Sequence, residues 1–143
     1  MKKRIAFDLD ETLAVALVDA RSLRGFSLRP GCIELLDKLA PIFDLVLWSS
    51  SERGYLNRAL EEGLKRFFKE SYSWAELPHR WKDIRLISAD YLVDDSEHHF
   101  LAAKKRGIEG GYIIVPSFGA PEDTENPLQW TRIILNHLRI EVE

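Results

Sequence analysis

Four short stretches of this chain are apolar almost throughout instead of at every second position. They are Ile5 to Leu9, Phe43 to Trp48, the centre of "DYLVDDS" (residues 90 to 96) and Gly111 to Val115. A strand with one wet face alternates. A strand buried on both faces does not, and that is the mark of a parallel sheet covered by helices. Segments with helical spacing lie between these runs, as parallel crossovers require. Behind Pro30, apolar residues recur at Cys32, Ile33, Leu35, Leu36, Leu39 and Ala40. Glu52 to Lys69 reads as one helix with Leu56, Leu60, Leu64 and Phe67 or Phe68 on a face. Ser96 to Arg106 reads as another, stopped by Gly107. Asn126 and Pro127 open a last helix bearing Leu128, Thr131, Ile134, Leu135 and Leu138. The expected architecture is α/β, a three-layer α/β/α sandwich around a mainly parallel sheet.

Two segments depart from the alternation. From Leu13 to Leu28, Val15, Leu17, Leu23, Phe26 and Leu28 surround the polar turn Asp19-Ala20-Arg21-Ser22, which predicts a short β-hairpin flap after strand 1. Residues 70 to 90 hold three aromatics and one proline and follow no period. Leu13 to Leu28 leaves no room for a full cap domain, and neither does the stretch between Ser49 and Lys82.

The 143 residues are expected to form one domain, 1–143, and the 45% hydrophobic and 30% charged composition argues against disorder. A net charge of -3 leaves any polyanion to a local basic patch. Cys32 is the only cysteine, which excludes an internal disulfide and a cysteine-based zinc site. The apolar runs are too short and too often broken by charge to span a membrane. Met1-Lys2-Lys3-Arg4 resembles the start of a signal peptide, but Asp8, Asp10 and Glu11 fall where its apolar core should run. A cytoplasmic location is expected.

In open parallel sheets the functional groups collect beyond the carboxyl ends of the strands. Here those positions hold Asp8 and Asp10, then Ser49 to Ser51, then Asp94 and Asp95. Two like charges about 4 Å apart at an effective dielectric of 20 cost roughly 4 kcal/mol, so four gathered acids need a cation. An all-oxygen ligand set suits Mg²⁺ better than zinc. A carboxylate beside such an ion can attack phosphorus and form an aspartyl-phosphate that water then hydrolyses. The second acid of the pair can protonate the leaving oxygen and later activate that water. Ser49 and the N–H groups at the next helix start offer donors to phosphoryl oxygens. A cation completes such a site: Lys82 is the candidate, with Arg80 and Arg85 as nearby competitors.

These residues resemble the haloacid dehalogenase superfamily of phosphatases. "FDLDETL" resembles its motif I (DxDxT), "LVLWSSS" its motif II, "WKDI" its motif III lysine and "YLVDDS" its acidic motif IV. Within it, the order of Leu9 to Leu13, Arg29-Pro30-Gly31, Trp48 to Ser51, Lys82-Asp83-Ile84 and Val93 to Ser96 is similar to the capless, CTD-phosphatase-like branch, also called NLI-interacting-factor-like. The resemblance implies a Rossmann-like fold, Mg²⁺, and a phosphorylated substrate met by an open site. It implies Asp8 as nucleophile and Asp10 as general acid/base that also offers its backbone carbonyl to the metal. It further implies Thr12 steadying the motif I loop, Ser49 and Lys82 holding the phosphoryl group, and Asp95 ligating metal beside Asp94. That branch usually carries Asn where this chain has Asp95.

Plainer readings compete at each position. A solvated turn explains Asp8 and Asp10 taken alone, but not acids and hydroxyls at three strand ends. Ser49-x-x-Glu52 also reads as a helix capping box, and Asp94 and Asp95 also read as caps for the helix at Ser96. His98 and His99 point to different helix faces and read as packing, not metal ligands. Trp74, Trp81 and Trp130 read as core, although Trp74 and Trp81 lie in the irregular segment beside the site. Gly107, Gly110 and Gly111 make no dinucleotide fingerprint. The main expectation is a Mg²⁺-dependent phosphomonoesterase acting through Asp8 on a macromolecular or large phosphorylated substrate. A nucleotide or nucleic-acid 3′-end phosphatase is the first alternative, permitted by Arg53, Arg58, Lys65 and Arg66, which a solvated helix face explains equally well. A catalytically silent phosphate-binding module is the second; its mark would be loss of Asp8 or Asp10, and both are present.

Overall fold

The first strand is buried from Ile5 to Phe7 because both of its faces are covered: Ile5 and Phe7 pack into one apolar cluster and Ala6 into another. This is a computed structural model, and it describes residues 1–141. In chain order the strands and α-helices are β1 (Arg4–Phe7), β2 (Ala14–Asp19), β3 (Ser22–Leu28), α1 (Cys32–Leu39), β4 (Asp44–Trp48) and α2 (Arg53–Ala59). They continue with β5 (Glu70–Tyr72), β6 (Tyr91–Asp94), α3 (Glu97–Lys104), β7 (Tyr112–Ile114), α4 (Pro121–Glu125) and α5 (Gln129–His137). The main sheet runs β5-β4-β1-β6-β7 with every pairing parallel. Phe7 stands in register with Leu47 on one side and Val93 on the other. The residues that follow β1, β4 and β6 therefore emerge side by side at one edge.

One face of the sheet is covered by Leu35, Leu36 and Leu39 of α1, Leu56 of α2 and Trp130, Ile134 and Leu135 of α5. The other is covered by Ala103 of α3 and by Ile84 and Ile87 of a 3-10 turn. This is the expected α/β sandwich. Among the described residues, no helix is long and apolar enough to cross a membrane.

The flap is the expected hairpin, β2 pairing antiparallel with β3 from Ala14↔Leu28 to Asp19↔Ser22. Its two turn residues, Ala20 and Arg21, both have positive φ (47° and 69°), the geometry a two-residue I′ turn needs.

The helix expected over Glu52 to Lys69 is shorter. After α2 it passes into a π turn over Leu60–Leu64 and breaks where Gly63 takes φ 91°. Leu64, Phe67 and Phe68 remain buried beyond the break, so the apolar spacing continues although the helix does not. The chain then enters β5, an edge strand inside the segment that showed no period. A further short helix, α4, precedes α5 and also lay outside the sequence expectation.

The "RPG" stretch ties the active edge to the helices. Gly31 takes φ 83°, and a Cβ there would lie 2.8 Å from Leu128 Cδ2. Arg29 is fully buried. Its guanidinium donates to the carbonyl of Thr12 (3.1 Å), the carbonyl of Pro116 (2.5 Å) and Asp123 Oδ1 on α4 (2.7 Å). It also lies over Trp130, 4.6 Å from the ring centroid.

Candidate active site

Asp8 is the first residue past β1, and its N–H still donates to the Val93 carbonyl at 2.9 Å. Immediately after it the chain turns sharply: the Leu9 carbonyl accepts from the N–H groups of Thr12, Leu13 and Ala14, and Glu11 sits at φ 63°. That turn folds Thr12 back beneath Asp8. Thr12 Oγ1 lies 2.9 Å from Asp8 Oδ2 and 3.1 Å from Asp95 Oδ1, and it accepts from the Asp95 N–H at 3.1 Å. One hydroxyl thus locks the end of β1 to the end of β6.

Lys82 supplies the positive charge. Its ammonium donates to Asp8 Oδ1 at 2.7 Å and to Asp94 Oδ2 at 3.1 Å, with the side chain 1% exposed. Its backbone is gripped from both ends. Its N–H donates to His99 Nδ1 (2.8 Å), and its carbonyl accepts from the Tyr112 hydroxyl (2.8 Å). The two competing arginines lie elsewhere. Arg85 forms a bidentate pair with Asp83, and Arg80 is exposed.

Burial pushes the Asp8 carboxyl up to about 7, with Asp94 adding to the rise and Lys82 opposing it. Burial likewise raises Asp94 against the pull of Lys82. For Lys82 the order reverses: burial lowers it, but the two carboxylates outweigh burial and hold the ammonium charged. His99 is driven down to about 3 by burial and by the Lys82 charge, so it is neutral. Because Nδ1 accepts from Lys82, its proton sits on Nε2, 3.6 Å from Asp94 Oδ2.

Carboxylate oxygens of Asp8, Asp94 and Asp95 all lie within 4.8 Å of one another. Three acids against one buried ammonium leave an excess of negative charge in a hard, all-oxygen setting, which fits a divalent cation. Ser117 donates to Asp95 Oδ2 at 2.7 Å and Ser96 N–H donates to Asp94 Oδ1 at 2.9 Å, so both acids are oriented. The Asp10 carboxylate is not in this cluster. Its Oδ1 accepts a hydrogen bond from the Tyr55 hydroxyl on α2, and burial followed by Asp10 raises the Tyr55 phenol.

Ser49 lies at the end of β4, 1% exposed and 2.7 Å from Ser51 Oγ, without a direct bond to Asp8. The capping-box reading of Ser49 does not hold. Glu52 is the cap residue of α2 and no side chain caps it, because Ser49 Oγ is occupied by Ser51 and its N–H. At α3 the cap is Ser96 itself, accepting from the His98 N–H. Asp94 is shared between Lys82 and the Ser96 N–H, and Asp95 between Thr12 and Ser117.

Of the tryptophans, Trp130 is core but Trp74 is 54% exposed, its N–H donating to the Ser51 carbonyl beside the site. The core reading of Trp74 is overturned because β5 ends at Tyr72 and the chain leaves the sheet there. The basic residues of the α2 region are engaged one by one. Arg53 binds Ser71 and Glu76, Arg58 the Leu23 carbonyl, Arg66 Asp37, and Lys65 lies 4.0 Å from Glu61. Tyr55, His99 and Ser117 join the site with no motif to mark them. Tyr55 and His99 lie shortly after motif strands, whereas Ser117 follows β7, which carries no motif.

No curated protein matches the sequence. The family of NLI interacting factor-like phosphatases matches residues 3–139. Among solved structures, the chain resembles fission yeast RNA polymerase II CTD phosphatase Fcp1 bound to beryllium fluoride, with TM-score 0.65 and 16% identity. That match covers 82% of this chain and 42% of the other. A second structure of Fcp1, an essential RNA polymerase II CTD phosphatase, gives TM-score 0.61 at 15% identity over 96% of this chain and 49% of that one. A haloacid dehalogenase-like hydrolase from Streptococcus pneumoniae gives 0.64 at 16% identity over 96% and 98%. This chain thus spans less than half the length of the two Fcp1 chains and nearly all of the bacterial one. With its parallel sheet, its carboxylate cluster and this match over almost its whole length, the chain belongs to the family of NLI interacting factor-like phosphatases.

Proposed function

We propose that this protein is a Mg²⁺-dependent phosphomonoester hydrolase that works through an aspartyl-phosphate on Asp8. The observation that carries the reading is the Lys82 ammonium bridging Asp8 and Asp94 while Thr12 bridges Asp8 and Asp95. Asp8, Asp94, Asp95 and the Asp10 backbone carbonyl would hold Mg²⁺, which supplies charge neutralisation for the acids and polarisation of the phosphoryl group.

The remaining work falls to the chain's own residues. Lys82 and Ser49 hold phosphoryl oxygens, whose charge is spread in the transition state. Asp8 attacks phosphorus; the bond to the ester oxygen breaks, and its electron pair leaves with that oxygen. Asp10 gives the leaving oxygen a proton. Asp10 then takes a proton from water as that water attacks phospho-Asp8, releasing phosphate and the free carboxylate. With only a hairpin beside it, the site is open and suits phosphate on a macromolecule or a large ligand.

The basic residues of the α2 region are already engaged, which gives a nucleic-acid substrate no particular support. Both Asp8 and Asp10 are present, which removes the feature a silent module would show. Hydrolysis of p-nitrophenyl phosphate with Mg²⁺ tests the reading. Wild type turns over and Asp8→Asn does not; equal turnover by the two overturns it. A salt series over a panel of phosphopeptides, nucleotides and 3′-phosphorylated oligonucleotides separates the substrate classes, since polyanion binding weakens steeply with salt.

A further inference from the structure

The Asp10 carboxylate is the one acid of motif I that Lys82 and Thr12 leave alone. What holds it is Tyr55, half-buried in α2, whose hydroxyl donates to Asp10 Oδ1. Tyr55 in turn packs edge-on against Phe26 of β3, with ring centroids 5.1 Å apart at 78°. Phe26 is 6% exposed, so this is a buried joint between the flap and α2. The flap is also tied to α2 by Arg58, which donates to the Leu23 carbonyl at 3.1 Å. A chain of direct contacts therefore runs from flap to ring to hydroxyl to acid.

We propose that Tyr55 is a positioning residue for proton transfer: it fixes Asp10 through Oδ1, leaves Oδ2 to carry the proton, and sets that geometry by the flap through Phe26. The proposal rests on the reading of Asp10 as acid and base given above. In the first half-reaction, the ester P–O bond breaks, its electron pair goes to the leaving oxygen, and that oxygen takes the proton from Oδ2. In the second, water loses its proton to Oδ2 as its oxygen bonds to phosphorus and the bond to Asp8 breaks. The Tyr55 proton stays on the phenol in both. A carboxylate free to rotate would present Oδ2 only part of the time.

The test uses the dependence on leaving group, which a merely structural role would not move. General-acid help matters little for p-nitrophenolate, which leaves unaided, and much for phenolate or an alkoxide. Values of kcat/KM report phosphoryl transfer to Asp8, so they are compared for p-nitrophenyl and phenyl phosphate in wild type and Tyr55→Phe. Phenylalanine keeps the packing on Phe26 and removes only the hydroxyl.

The loss on phenyl phosphate is expected to exceed that on p-nitrophenyl phosphate by about 10-fold or more, part of the 10²–10⁴ that general acids contribute. In an Asp10→Ala background, Tyr55→Phe should leave the ratio of the two esters unchanged. Phe26→Leu should show the same signature at smaller size. Equal losses on the two esters, or no loss on either, overturn the role of Tyr55. Equal losses for Phe26→Leu overturn the flap link. Persistence of turnover in Asp8→Asn would instead strike the underlying reading, so the two failures are distinguishable.

Discussion

Arg29 is held in the core by rigid partners at both terminal nitrogens, while its buried Nε has none. Two backbone carbonyls, the Asp123 carboxylate and the Trp130 ring surround the guanidinium. Asp123→Ala removes its counter-charge and should destabilise the fold by about 3 kcal/mol, the low end for breaking a buried pair because the carbonyls remain. Urea unfolding of the two proteins measures this, and a difference under about 1 kcal/mol would contradict it. Asp8 makes a prediction of the opposite sign. Its carboxyl moves from 3.8 to about 7, so the folded chain holds the proton more tightly than the unfolded one. Stability from this group is complete below about pH 4 and lost as pH rises through about 7. In EDTA, the unfolding midpoint of Asp8→Asn should therefore gain on wild type between about pH 4 and pH 8, and a constant gap would contradict this. At this scale the positions of the acids and of Ser49 were legible because they follow strand ends. Tyr55, His99 and Ser117 were not, since a phenol, an imidazole or a hydroxyl becomes part of a site only through the tertiary contact it makes.

Elements were legible where spacing and punctuation agreed and illegible where they conflicted. The Glu52 to Lys69 pattern kept its apolar period through Gly63, but the chain turned there, and Leu64, Phe67 and Phe68 reached the core from a loop. The strand β5 escaped notice because Glu70-Ser71-Tyr72 is a three-residue edge strand with little apolar content. At the flap, the turn was placed correctly even though Ala20 and Arg21 are poor residues for positive φ. Replacing them together, Ala20→Asn with Arg21→Gly, should relieve left-handed strain and stabilise the protein by about 1 kcal/mol. A lowered unfolding midpoint would show that the turn is held by something else. At the start of α1, Gly31→Ala should cost about 2–4 kcal/mol, from left-handed backbone and from the clash with Leu128. Thermal unfolding reads both changes, and Gly31→Ala unfolding at the wild-type temperature would contradict the close approach of α1 and α5.

At the scale of the whole molecule, one sheet does two jobs. Its strands are buried on both faces, which made them legible as continuous apolar runs, and their parallel order puts the ends of β4, β1 and β6 at one edge. Acids some 85 residues apart in sequence thereby come within a shared oxygen cluster. The sequence pattern implied that edge before any contact was visible. It did not contain the choice of Lys82 over Arg80 and Arg85, because that choice depends on how an aperiodic segment packs under His99 and Tyr112. The central claim is a covalent phosphate on Asp8. The direct measurement is to quench the protein in acid during turnover of a phosphate ester with Mg²⁺, reduce it with borohydride and sequence it by mass spectrometry. Homoserine is expected at position 8, the product of reducing an aspartyl-phosphate. Phosphate on Ser49, or continuing turnover with position 8 never modified, would contradict it.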